Sequence, residues 1–220
     1  MLLGQCSSAA SADSLFYEEL CEAFVSANIP FHKLNNNVLR GFLQKYTGKS
    51  IPDESTVRKN YIERCYNKTI NVIRAKLDKK KIWVSIDETT DSLGCYVANV
   101  IVGEMNEENS GDIFLLNCEI LEKANFSTIS KLFDRTMNYL WPNGVQHDSV
   151  LLFLTDAVLY MVKAANSLKA LYSKMVHVTC LAHACHRVAE DIRGYFPDVD
   201  KLIGNVKKVF LKSPSRVKTL

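Results

Sequence analysis

Apolar positions recur at helical spacing through the first third of the chain. Phe16, Leu20, Phe24 and Val25 share one face of a predicted helix from Asp13 to Asn28, with Asp13 as its cap. Ile29 and Pro30 end it, because a residue before proline is pushed out of the helical region. A second helix is predicted over Asn37 to Tyr46, with Val38, Phe42 and Leu43 inward. A third is predicted over Ser55 to Asp78, where Val57, Tyr61, Ile62, Cys65, Ile70, Ile73 and Leu77 form a stripe. Residues 1–12 are rich in Ser and Ala and are expected to be disordered. The first domain is therefore a small helical unit, residues 13–78.

The pattern changes at Lys79, Lys80 and Lys81. Ile82 to Ile86 is rich in β-branched and aromatic residues and predicts a strand. Further strands are predicted over Tyr96 to Met105 and Ile113 to Leu121, with Glu107 to Gly111 as a polar turn. A helix follows from about Ser127 to Leu140, then a strand over Val150 to Leu154. That last run is continuously apolar, as expected of a strand buried on both faces. A helix over Ala157 to Tyr172, a short strand over Met175 to Thr179 and helices over Ala182 to Tyr195 and Val199 to Leu211 complete the chain. The order β-β-β-α-β-α-β-α predicts an α/β fold: a partial ribonuclease H-like mixed sheet flanked by helices, spanning residues 79–200.

In that fold the first and fourth strands are parallel neighbours, and parallel neighbours bring their C-terminal ends to one sheet edge. The first strand runs into Asp87 and the fourth into Asp156. Strands about 5 Å apart would set these carboxylates facing each other. Paired carboxylates offer oxygen ligands suited to Mg²⁺ or Mn²⁺, and such ions support phosphodiester cleavage. Asp156 also stands where a helix N-cap belongs, so capping is the competing role.

Composition and charge narrow the classes. Of 220 residues, 47% are hydrophobic, which suits a globular chain with a sizeable core, and no apolar run is long enough to span a membrane. Seven scattered cysteines without a C-x-x-C pair read as free thiols in a reducing compartment. The net charge of +3 does not identify a nucleic-acid binder, but residues 201–220 carry six basic and no acidic side chains. Lys207, Lys208, Lys212, Arg216 and Lys218 are candidates for phosphate contacts, and a solvated helix face is the plainer reading. Tyr61, Tyr66 and Trp83 could stack on bases, or simply pack in a core. His177, Cys180, His183, Cys185 and His186 invite a zinc site, but a strand histidine and a mid-helix histidine do not easily converge, so zinc is not expected.

Three segments carry a family resemblance. Ile86 to Asp91, Phe153 to Asp156 and Cys180 to His183 resemble successive motifs of the hAT (hobo/Activator) transposases. The resemblance implies a ribonuclease H-like core interrupted by a helical insertion, of which residues 201–220 would be the start. It implies Asp87 and Asp156 as the first two catalytic acids. It also implies Cys180 and His183 as a C-x-x-H motif beside the DNA-handling site. Residues 15–66 resemble the helical segment of the CGG triplet repeat-binding protein family, through Ala27 to Pro30, Arg40 to Leu43, Ser50 to Pro52 and Val57 to Tyr61.

The family's third acid, a Glu beyond the insertion, has no match here. Glu190 is the one candidate substitute, and a surface glutamate is the simpler reading of it. The implied function is a nuclear, transposase-derived, DNA-associated protein without autonomous transposase activity, forming a homo- or hetero-oligomer or acting alone. Two rivals are a fragment of an active transposase, and an interaction module that has lost DNA binding.

Overall fold

The computed structural model describes residues 5–106 and 111–211. The chain divides into two compact units, Met1–Asp78 and Lys79–Leu220. No helix among the described residues is long and apolar enough to cross a membrane.

The first unit is helical: α1 (Gln5–Ser26), a 3-10 turn (Phe31–Asn35), α2 (Asn37–Thr47), α3 (Glu54–Asn60) and α4 (Ile62–Leu77). Its core gathers Leu20, Cys21, Phe24, Phe31, Leu34, Ile51, Val57, Tyr61 and Cys65. Helix α1 begins at Gln5 rather than Asp13, so the segment expected to be disordered is helical from Gln5 onward. Alanines at 9, 10 and 12 carry high helix propensity and extend a helix that is anchored downstream. Asn28, in the left-handed region at φ 55°, closes α1 before Pro30.

Two other expectations are corrected here. Val38 and Phe42 point outward, at 81% and 58% exposed, while Leu39 and Leu43 pack on the core. Arg40 sets this phase. Its guanidinium donates to the carbonyls of Leu34 and Ile51, which turns the adjacent Leu39 inward. The single helix expected over 55–78 is two, broken at Tyr61, whose backbone leaves the helical region at φ −121°. Tyr61 is drawn into the core and meets Tyr17 edge-on, with ring centroids 5.7 Å apart.

The second unit is built on β1 (Ile82–Thr90), β2 (Tyr96–Glu104), β3 (Ile113–Leu121), α5 (Phe126–Leu140), β4 (Val150–Thr155), α6 (Leu159–Leu168), β5 (Val176–Thr179), α7 (Leu181–Gly194) and α8 (Pro197–Leu211). The sheet order is β3-β2-β1-β4-β5. Strands β1, β2 and β3 form an antiparallel meander, and β4 runs parallel to both β1 and β5. This is the ribonuclease H-like arrangement predicted from the order of elements.

Helices α5 and α6 cover one face. Ile129, Leu132, Phe133, Met137 and Leu140 of α5 and Met161, Ala164, Ala165 and Leu168 of α6 are buried. Phe133 meets the rings of Phe153 and Tyr172 edge-on at 4.9 and 5.1 Å. Among the described residues the opposite face is left open. Ile113, Leu115, Ile120, Val176 and Val178 are all exposed there. Strand β4 is accordingly buried on one side only: Val150, Phe153 and Thr155 are buried, while Leu152 and Leu154 are half-exposed. Its unbroken apolar run overstated its burial, because α5 and α6 both lie on the same side.

Candidate functional site

The parallel ladder between β1 and β4 sets the site. Ser85 pairs with Leu154 at its end. Asp87 lies two residues further along β1, and Asp156 two residues further along the chain, just past the end of β4. Continued at the same register, the ladder would bring the two acids level, at the ordinary strand spacing of about 5 Å. Strand β1 does not stop at Asp87 but continues to Thr90, held there by β2, where Asp87 pairs with Asn99. The relevant edge is thus where β4 leaves the sheet. Asp87 is exposed and Asp156 half-exposed.

Asp156 is not a helix cap. Helix α6 starts at Leu159 with Val158 in the cap position and no side-chain cap bond. The Asp156 carboxylate instead accepts from the Val158 amide at 3.3 Å, a turn within the link between β4 and α6.

Several side chains surround this pair. The Tyr160 hydroxyl donates to Glu88 Oε2 at 2.6 Å, joining α6 to β1. Burial raises the Glu88 carboxyl above its ordinary range; the Tyr160 bond opposes this, and the charges of Asp156 and Asp87 add to it. Glu88 Oε1 is buried without a hydrogen-bond partner. The Thr155 hydroxyl donates to the Asp156 carbonyl at 2.7 Å and lies 2.9 Å from His177 Nε2. With its proton committed, Thr155 Oγ1 accepts there, so His177 carries its proton on Nε2. The Cys180 amide donates to the Thr155 carbonyl at 2.7 Å, seating the start of α7 beside the end of β4.

Cys180 and His183 interact as the first turn of α7 dictates. The Cys180 side chain makes no cap hydrogen bond, but the neighbouring His183 amide and then its ring lower the thiol below its ordinary value. The Cys180 sulfur in turn raises His183, with the charges of Asp87 and Asp156 contributing further. His183 thus lies within the field of the two acids. It also lines a cleft of about 170 Å³ with Asp156, Ala157, Val158, His186 and Arg187.

The structure brings Asp87, Asp156, Cys180 and His183 to one end of the sheet. Glu88, Tyr160, Thr155 and Arg187 join them there, and sequence reasoning missed all four. Glu88 adjoins Asp87, but strand alternation sends it to the covered face, where only α6 reveals its partner. The basic candidates divide: Lys207 and Lys208 are exposed on α8, and Lys212, Arg216 and Lys218 lie outside the described residues. Glu190 stays on the surface, 3.3 Å from His186, and lines a different depression with Arg193 and Asp200. Tyr61 belongs to the first unit's core, Tyr66 is exposed, and Trp83 packs across Gly103.

The donor set at Asp87 and Asp156 fits a hard divalent cation. Mg²⁺ and Mn²⁺ accept one or two carboxylates and fill their remaining positions with water. No group of three or more His, Cys, Asp or Glu side chains converges among the described residues. An ion held by this pair would take water or phosphate oxygens for its remaining positions.

A family model, "Domain of unknown function (DUF659)", matches residues 52–209. The chain belongs to the DUF659 family. That family is associated with hAT-type transposase regions. A second model, "CGGBP1 helical domain", matches residues 7–64, across the first unit. No curated protein matches the chain. Among solved structures, the chain is similar to the catalytic core domain of BIV integrase, at 15% identity and TM-score 0.31, over 53% of this chain and 72% of that one. It is also similar to Marinitoga piezophila Argonaute with guide RNA, at 14% identity and TM-score 0.31, over 58% of this chain and 22% of that one. The same Argonaute with guide RNA and target DNA gives 15% identity and TM-score 0.31, over 60% and 24%.

Proposed function

We propose that this DUF659 chain is a transposase-derived, DNA-associated nuclear protein of hAT ancestry, without autonomous transposase activity. The observation that carries this is the parallel ladder of β1 with β4, whose last pair, Ser85 and Leu154, stands two residues before Asp87 and Asp156. Family membership and the Cys180–His183 turn beside the acids support it. Bound at the two carboxylates, Mg²⁺ or Mn²⁺ would supply water activation and charge neutralisation at a phosphodiester. Asp87 and Asp156 would hold the ion, and His183 and Arg187 would face the phosphate from α7. Among the described residues no group of three or more metal-ligating side chains forms, and two acids alone support weak metal binding rather than turnover.

DNA association is assigned to α7, α8 and the basic segment after them, with Lys207 and Lys208 at the phosphates. The test is DNA binding by the full chain across a salt series, paired with a metal-dependent nicking assay. Affinity falls steeply with salt and drops in Lys207→Ala/Lys208→Ala, while nicking is absent or slow. Binding that is insensitive to both would remove the DNA assignment. Robust nicking abolished by Asp87→Ala or Asp156→Ala would show an active nuclease.

The bare sheet face favours a second reading. Ile113, Leu115, Ile120, Val176 and Val178 form an apolar surface of the kind that further polypeptide covers. In this reading the chain acts within a larger transposase assembly. Metal-dependent cleavage on adding the complementing polypeptide, with none from the chain alone, would distinguish it.

A further inference from the structure

Beyond Leu154 the backbone ladder no longer joins β4 to β1, yet Asp156 must stay level with Asp87 for both to reach one ion. Asp156 sits in the short link before α6, and that helix starts without a side-chain cap. Its carboxylate is held by the Val158 amide at 3.3 Å, a long bond within the same link. The link itself therefore needs a tie to β1.

Tyr160 and Glu88 supply that tie. Tyr160 lies in the first turn of α6, four residues after Asp156, and Glu88 follows Asp87 directly in β1. Glu88 is fixed by β2, where it pairs with Ala98. The 2.6 Å bond thus runs from the residue beside one acid to the turn that carries the other. Glu88 Oε1 is meanwhile buried and unpaired. An unsatisfied buried carboxylate oxygen opposes folding. A leucine at 88 would fill the same covered face without that penalty, so the carboxylate is best explained by what it holds.

We infer that the Glu88–Tyr160 hydrogen bond is a strut that positions Asp156 level with Asp87. This rests on the metal-site reading above. Tyr160 and Glu88 are positioning residues in it, and neither is a ligand.

The experiment uses the full chain and follows Mn²⁺ by the electron paramagnetic resonance of the free ion, with amide hydrogen exchange as a second readout. Tyr160→Phe removes the hydroxyl and keeps the ring. Glu88→Gln keeps an acceptor oxygen for Tyr160. The expected result is Mn²⁺ affinity weakened about tenfold or more in Tyr160→Phe, as for groups that orient ligands, and near wild type in Glu88→Gln. The Val158 amide should exchange faster in Tyr160→Phe while amides of β2 and β3 keep their protection. Loss of Mn²⁺ binding in Glu88→Gln as complete as in Asp156→Ala would make Glu88 a ligand and overturn the strut. Unchanged affinity and unchanged Val158 exchange in Tyr160→Phe would also overturn it. If the wild-type chain binds no Mn²⁺, the metal reading fails, and Val158 exchange then decides the strut alone: faster exchange sustains it and unchanged exchange ends it.

Discussion

The indole of Trp83 occupies the space that a side chain on Gly103 would need, with ring atoms 2.6 Å from the place of a β-carbon there. The two residues are partners across β1 and β2. Gly103→Ala should therefore push the ring off the strand and cost about 1–3 kcal/mol, as overpacking does. Tryptophan fluorescence checks this: emission shifts to the red as Trp83 is expelled, because Trp141 is buried and stays so. Emission and urea midpoint both unchanged would show that Trp83 has room to move.

Phe133 is the centre of the covered face, fully buried between Phe153 and Tyr172. Phe133→Ala should destabilise the second unit by about 3–5 kcal/mol, the range for deleting a buried ring. Hydrogen exchange locates the loss. Protection should fall through β1, β4 and α5 and persist in the helices of the first unit, which has its own core.

Helix α5 begins with a capping box: the Asn125 side chain accepts from the Ser127 and Thr128 amides, and the Thr128 hydroxyl lies 3.1 Å from the Asn125 amide. Asn125→Ala should cost about 1 kcal/mol. The urea midpoint reads this, and Asn125→Ser should recover most of the loss, since serine caps nearly as well.

Stability should depend on pH through His177. Burial, and then the charge of Lys169, hold its imidazole below the ordinary value of 6.5. The fold thus favours the neutral ring, which donates to Thr155. The contribution is complete above 6.5, declines as pH falls and the unfolded chain takes up the proton, and levels off below the folded-state value. His183 runs the opposite way: its raised value gives stability at low pH that is lost as pH rises through it. The comparison with His177→Gln isolates the first term. Urea melts at pH 7.5 and 5.5 should show a smaller loss on acidification in the variant, and an equal loss would remove His177 as the cause.

Most of the sheet was legible in the sequence because alternation and β-branched runs mark strands whatever packs on them. The parallel pairing of β1 with β4, on which the expectation for Asp87 and Asp156 rests, was legible too. What stayed hidden depends on tertiary phase. Val38 and Phe42 fit an inward stripe as well as Leu39 and Leu43 do, and Arg40 decides between them by reaching the carbonyls of Leu34 and Ile51. The break at Tyr61 leaves the helical periodicity on both sides intact. Glu88 reads as one more polar strand residue until Tyr160, far along the chain, arrives above it.

The register of β1 with β4 also governs the order of assembly. The meander β1–β2–β3 forms from near neighbours in sequence, whereas β4 must cross past α5 to lie beside β1. Closing that long segment is the slower, entropically costlier event. The two carboxylates are therefore expected to approach each other only after the meander exists. A metal signal at Asp87 and Asp156 would be a clock for the last stage of folding, silent in every intermediate that has its hairpins but not yet its crossover.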